Sequence, residues 1–399
     1  MIEQFRLFKR GRSQGKKIYY CEFFDETGTR IRTLSTGQTS KAAARNWSIH
    51  QITQGLVHVK KDQKFAQFAE NWFIWDKCDY LKREINRRGY RRSYADIQRN
   101  LLTNYITPTF GKYKLSQITV QRIEKWLFDI RDNKIIPASK KDDKKYKEKK
   151  KASTTKANVT ANRCLAVLKI MMKEALRLQL ISSDPASLVK KLKEDSKNKG
   201  LLTRDEVRTL FNPQRIEEVW GKDKLFYAIS VLAATTGMRM GEVQALQFKD
   251  VFEDHILVNH SWDRKYGLVS PKANSTRAIS LPCYVSEVLQ NIIEQQKITD
   301  EDAIIFQGKI PGQPVDHRAI VKHLYKALEN IDISDSQRRE RNITFHSWRH
   351  FFNTFMRGKV SDIQLRKVTG HRTEAMTDHY DHQLLEELEE IRQVQNTIL

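Results

Sequence analysis

The first 36 residues read as short strands with turns between them. Phe5-Arg-Leu-Phe-Lys9 and Lys17-Ile-Tyr-Tyr-Cys-Glu-Phe-Phe24 are β-favouring runs, and Gly11, Gly15 and Asp25-Glu-Thr-Gly28 supply turns. Thr39-Ser-Lys-Ala-Ala-Ala-Arg45 then predicts a helix to about Gln54, so a three-stranded sheet backed by one helix is expected. From about Asp62 the period becomes helical. Phe65, Phe68, Ala69, Trp72 and Phe73 form a packed stripe, and further helices are expected over about Ser93–Tyr105, stopped by Pro108 and Gly111, over Val120–Asp132 and over Thr155–Leu178. Pro185 and the charged run at 190–200 mark a linker. Thr203 with Glu206 then makes a capping box that opens a new domain. Beyond it the pattern predicts helices at 204–211 and 223–236, strands near 255–262 and 276–281, a helix near 284–298 and a helical set from 316 onward. The expected fold is multidomain and mainly α with small β-sheets.

Charge changes this picture more than composition does. The 399 residues carry a formal +23 with 39% hydrophobic side chains, enough for folded domains. Residues 1–60 hold 11 basic and 4 acidic side chains and residues 61–199 hold 34 and 16, whereas residues 200–399 hold 26 and 28. The whole excess therefore lies in the first half, as expected of a polyanion-binding half joined to a nearly neutral one. The run at 140–151, with eight Lys and three acids, reads as a solvated loop that brushes phosphates. No apolar stretch is long enough for a membrane span, and the N-terminus does not read as a secretory signal. Cys21, Cys78, Cys164 and Cys283 are scattered without a CxxC, which points to a reducing cytoplasmic setting and away from a zinc finger.

Four segments in the second half carry candidate chemistry. Ala234-Thr-Thr-Gly-Met-Arg239-Met-Gly-Glu242 runs an apolar helix into a turn and starts another helix at an arginine. Ser270-Pro-Lys272-Ala-Asn-Ser-Thr-Arg277-Ala-Ile-Ser sets a lysine on a tight hairpin. Phe345-His346-Ser-Trp-Arg349-His350 puts His346 and Arg349 three apart on one helical face. Thr369-Gly-His371-Arg372 is followed nine residues after His371 by Tyr380. Each alone also fits ordinary structure: a surface arginine after a turn, or a lysine in a hairpin. The clustering of His346, His350, His371, His379 and His382 would suit a metal, but no Cys or carboxylate spacing completes a ligand set.

Together, in this order, the segments resemble the tyrosine recombinase (phage-type integrase) family. Thr369 and Trp348 stand where that family often has Leu, and neither departure removes a functional group. The resemblance implies residues 1–58 as an arm-type DNA-binding domain, 63–182 as a helical core-binding domain, and 200–399 as a catalytic domain with a tail helix. It implies that Tyr380 attacks a scissile phosphate to form a 3′-phosphotyrosyl link. Arg239, Arg349 and His371 would hold the phosphoryl oxygens, Lys272 would protonate the leaving 5′-oxygen, His346 would take the tyrosine proton, and Glu242 would orient one of these groups. No cofactor or metal is implied. The implied partners are double-stranded DNA with core-type and arm-type sites, a homotetramer on that DNA, and an excisionase and a host DNA-bending protein. A prophage or integrative conjugative element is the implied setting. The acidic tail from Leu384 to the end would dock on its own domain or on a neighbouring protomer. Competing expectations are a type IB topoisomerase-like enzyme, which the N-terminal module argues against, and a DNA-binding regulator with an inactive catalytic domain.

Overall fold

The computed structural model of the chain describes residues 5–10, 17–24, 28, 30–53, 63–135, 137, 139, 155–194, 200–222, 224–272, 275–370 and 391–398. Its contacts divide into two compact units, Met1–Asp195 and Ser196–Leu399. All four cysteines are free thiols. Burial pushes the Cys164 thiol up to about 12, so it behaves as an apolar core group. No described helix is long and apolar enough to cross a membrane.

In the first unit, β1 (Phe5–Arg10), β2 (Ile18–Phe24) and β3 (Arg30–Ser35) form an antiparallel sheet in that order. The register sets Phe5 against Phe23 and Leu7 against Cys21, and one face buries Cys21 and Phe23 against Leu34, Trp47 and Ile52. Helix α1 (Lys41–Thr53) supplies Trp47 and Ile52. On the other face Phe8 stacks on Tyr20 between the exposed Arg6 and Arg10.

The aromatic stripe at 65–73 does not make the expected helix. Only α2 (Phe65–Phe68) is helical there, turns follow to Cys78, and Phe73 adopts a left-handed φ of 58°. Tertiary contacts override the periodicity. Arg99 donates from Nη1 to the carbonyls of Ala69 and Trp72, at 3.0 Å each, which satisfies groups that a helix would have paired internally. The sequence also missed α3 (Asp79–Arg88). Helix α4 (Arg92–Leu101) continues through a π turn, Leu102–Ile106, into α5 (Thr107–Phe110), so Pro108 does not stop it. Proline falls in the first turn of α5, where the shifted ladder already lacks a partner for its missing N–H. Helices α6 (Val120–Arg131) and α7 (Thr155–Arg177) pack together, and the indole of the buried Trp126 donates to the carbonyl of Tyr105 at 3.1 Å.

The second unit opens as expected. Thr203 caps α8 (Arg204–Leu210) reciprocally with Glu206, and α9 (Ile216–Trp220) follows. Helix α10 (Leu225–Thr236) is buried on every side from Phe226 to Thr236, which explains its uninterrupted apolar sequence. It ends at Gly237, left-handed with φ 66°, and α11 (Met240–Gln244) begins three residues later. The two predicted strands resolve into two two-stranded ladders, β4 (His255–Val258) with β7 (Arg277–Ser280), and β5 (Ser261–Asp263) with β6 (Gly267–Val269). Helices α12 (Cys283–Gln295), α13 (His317–Glu329), α14 (Asp335–Glu340), α15 (Ser347–Met356) and α16 (Asp362–Thr369) complete the unit.

A Cβ on Gly237 would lie 2.6 Å from Cδ1 of Phe352, on a backbone already left-handed. Gly237→Ala is therefore expected to cost about 1–3 kcal/mol, read as a lower urea midpoint at unchanged m-value.

Candidate active site

The turn that bears Arg239 is assembled from helix-end chemistry. Gly237 closes α10, with its N–H bonded to the carbonyl of Ala233 at 3.0 Å. Arg239 is the N-cap of α11, and Glu242 sits at the third position of that helix. Its Oε2 accepts the Arg239 backbone N–H at 2.9 Å, and its Oε1 accepts from Arg239 Nη1 at 2.7 Å. The Gly-x-Arg-x-x-Glu spacing is thus a helix stop joined to a helix start.

A second helix end meets it. Ser361 and Gln364 cap α16 at its start, and Gly370, left-handed with φ 64°, ends it. The last carbonyls of a helix have no partner within it and carry partial negative charge. Here each takes a different guanidinium. Val368 O accepts from Arg277 Nε at 2.5 Å, Thr369 O accepts from Arg349 Nη2, and Gly370 O accepts from Arg239 Nη2 at 3.5 Å. Arg349 also donates from Nη1 to Gly237 O at 2.8 Å, so it spans the ends of α10 and α16. Glu242, 1% exposed, lies between Arg239 and Arg277, whose Nη2 donates to Glu242 Oε2 at 2.8 Å. Close approach at Gly370 is part of this design: a Cβ there would meet Ser275 Oγ at 3.0 Å and Arg277 Nη1 at 3.4 Å.

Three guanidiniums surround one carboxylate. Burial favours a neutral Glu242, yet the charge and hydrogen bonds of Arg277, then the Arg239 backbone N–H and charge, hold its carboxyl below the usual range. Burial, reinforced by the charge of Arg239 and less by that of Arg277, pushes the 2%-exposed Arg349 guanidinium down to about 9. Among the described residues the cluster keeps a net charge of two positive units. Arg239, with 24% of its side chain exposed, opens it to solvent. Such a cluster calls for an anion.

The other sequence candidates are placed unevenly. Lys272 is exposed on the β6–β7 connection and joins the cluster through its backbone: Ser275 Oγ donates to Lys272 O at 2.9 Å, and Ser275 O accepts from Arg277 Nη1 at 3.2 Å. His346 is exposed at the N-cap of α15, three residues before Arg349, with its ring 4.8 Å from that of His350 and nearly perpendicular to it. His371 and Tyr380 lie outside the described residues, as do His379, His382 and the tail from Leu384 to Glu390. Among the described residues no three His, Cys, Asp or Glu side chains are grouped to hold a metal ion. Thr369 is buried, its hydroxyl donating to Leu365 O at 2.7 Å, and Trp348 packs 5.2 Å from the ring of Phe211.

Residues 201–387 match the model of the phage integrase family. The match spans just under half of the 399-residue chain. Over 320 residues the chain is 22% identical to the tyrosine recombinase XerC of Natranaerobius thermophilus, covering 77% of this chain and 93% of that one. The integrase of Staphylococcus phage L54a is 28% identical over 182 residues, 40% of this chain and 50% of that one. Among solved structures, the Tn1549 transposon integrase in complex with transposon right end DNA shares the fold at TM-score 0.57 and 19% identity, covering 78% of this chain and 92% of that one. A lambda integrase tetramer bound to a Holliday junction does so at TM-score 0.53 and 14% identity, covering 94% and 93%.

Sequence reasoning quoted Arg277 within the lysine hairpin but gave it no role. Its one usable signal was a charged residue two before Ile279 on a strand whose inward face is apolar. Of the tail, residues 391–398 dock on their own unit. Gln395 accepts from Ser280 Oγ and donates to Thr235 O, both at 2.6 Å, and Ile391 and Ile398 are buried.

Sulfate is expected to stabilise the DNA-free protein by about 1–3 kcal/mol at ten- to hundredfold excess over its Kd, read as a rise in Tm. Burial holds the Arg349 guanidinium below its ordinary value, yet it stays charged at working pH, so the gain should be undiminished between about pH 6 and 8. Arg239→Met should remove most of it.

Proposed function

We propose that the chain is a site-specific DNA recombinase that cuts and rejoins strands through a covalent phosphotyrosine, integrating or excising a mobile element. The observation that carries this reading is the convergence of Arg239, Arg277, Arg349 and Glu242 on two helix ends, which leaves a solvent-open site two charges positive. A phosphodiester is singly charged and gains further negative charge in its five-coordinate transition state. Guanidiniums already fixed in place stabilise that added charge without reorganising.

In the proposed reaction the phenolic oxygen of Tyr380 bonds to the scissile phosphorus and the bond to the 5′-oxygen breaks. Its ordinary pKa of about 10 makes phenolate scarce at neutral pH, so His346 takes the proton as attack proceeds. Lys272 gives a proton to the departing 5′-oxygen, and His371 donates a hydrogen bond to a phosphoryl oxygen. Attack by a 5′-hydroxyl of a second strand on the phosphotyrosine reverses these steps, so bond energy is conserved and no external energy source is needed. Glu242 orients Arg239.

The remaining parts suit DNA held on both sides. The face of the β1–β3 sheet bearing Arg6, Phe8, Tyr20 and Arg10 is free of its own core and suits arm-type sites. Residues 63–182, with 200–399, would clamp core-type sites. Four copies would act together on two duplexes, with an excisionase and a DNA-bending host protein setting direction.

The test is a nicked suicide duplex built from the direct repeats flanking the element that carries the gene. The wild-type chain should become covalently attached to it, and Tyr380→Phe should bind it yet form no adduct. Arg239→Ala or Arg349→Ala should slow adduct formation by about 10²–10³-fold. Adduct formed by Tyr380→Phe would refute the nucleophile.

A further inference from the structure

We propose that Arg277 is a positioning residue for strand cleavage: its guanidinium locks the lysine hairpin, the Arg239 turn and the Gly370 turn into one arrangement. This rests on the reading of the site as a phosphodiester-cleaving centre.

Arg277 occupies an inward position of β7, two residues before the core residue Ile279, and is 5% exposed. A charge there is costly unless it is fully paired, and a well-packed apolar residue often stabilises such a position as well. Stability alone therefore gives little reason for an arginine. Its contacts give a better one. Nε donates to Val368 O at 2.5 Å, Nη2 to Glu242 Oε2 at 2.8 Å, and Nη1 to Ser275 O at 3.2 Å and Glu242 Oε1 at 3.4 Å.

Each acceptor belongs to a different functional piece. Val368 is two residues before Gly370, next to the position of His371. Glu242 holds both the backbone and the guanidinium of Arg239. Ser275 is bonded to the carbonyl of Lys272. A planar fork of donors serves these acceptors at fixed angles, which a single ammonium cannot. With its donors committed inward and its side chain enclosed, Arg277 is not available to a phosphate. It acts through the groups that are.

Removing Arg277 should move two things together. Arg239 would lose the fixed carboxylate that aims it, and misplacement on the ångström scale slows cleavage by about 10²-fold. Glu242 would also stay buried without its strongest opposing charge. Among the described residues the charged groups facing it are Arg239 from its own turn, Arg277 from β7 and Arg349 from α15. With Arg277 gone its carboxyl rises, so an additional acid limb enters the pH profile of cleavage.

The experiment measures single-turnover adduct formation on the nicked suicide duplex from about pH 5.5 to 9, a window that would catch a carboxyl raised above its ordinary range, with gel-shift affinity and Tm, for the wild type, Arg277→Gln and Arg277→Lys. Expected for Arg277→Gln is DNA affinity within about twofold of wild type, cleavage slower by about 10²-fold, and a new acid limb. Arg277→Lys should remove that limb while restoring only part of the rate. Cleavage by Arg277→Gln at the wild-type rate and with the wild-type pH profile overturns the proposal. So does a loss that follows affinity and Tm alone and that lysine does not rescue. Should Arg277→Gln not fold, Arg277→Lys decides: a reduced rate at intact affinity supports the role, and a full rate overturns it. No adduct from the wild type would instead refute the underlying function, and Arg277's role with it.

Discussion

The second unit depends on how the open end of one helix is satisfied. The final carbonyls of α16, at Val368, Thr369 and Gly370, accept from Arg277, Arg349 and Arg239. Three side chains that are 91, 20 and 131 positions away along the chain meet where a helix must in any case find donors. Partial negative charge at the helix end lowers the cost of crowding three cations, and Glu242 supplies the one full counter-charge.

That arrangement explains why the cluster can be buried yet remain receptive. Two of the three cations lie almost wholly inside, where unpaired charge is costly, and burial, with the like charges of Arg239 and Arg277 adding to it, depresses the Arg349 guanidinium. An anion arriving beside Arg239 relieves this repulsion. Binding energy thus arises from charge the fold already holds, and little reorganisation is required when further negative charge develops. Gly237 and Gly370 admit the necessary backbone turns, and the close packing of Phe352 and Ser275 against them ties the geometry of the arginine cluster to core packing.

Long-range and local electrostatics are divided along the chain. The first half carries essentially the whole positive excess, which raises association with a polyanion and makes it salt-dependent. The second half is close to neutral and gathers three guanidiniums around Glu242. This division separates capture of DNA, which needs many solvated charges, from chemistry, which needs a few desolvated ones.

Local signals determined much of this protein. β-favouring runs with turn residues marked the β1–β3 sheet, and helical patterns and caps marked α1, most helices of the second unit and the Thr203 cap. Spaced motifs marked Arg239, Glu242, Lys272, His346 and Arg349. Two errors share a cause: Phe65–Phe73 has helical spacing but breaks into turns because Arg99 binds their carbonyls, and Pro108 is carried by a π turn instead of ending a helix. Arg277 was invisible for the same reason. Periodicity and motif spacing report interactions a few residues apart, whereas burial of a charge is decided by acceptors that chain folding brings from 35 and 91 positions away. Which charged side chains face solvent and which are locked around Glu242 is a property of tertiary packing alone.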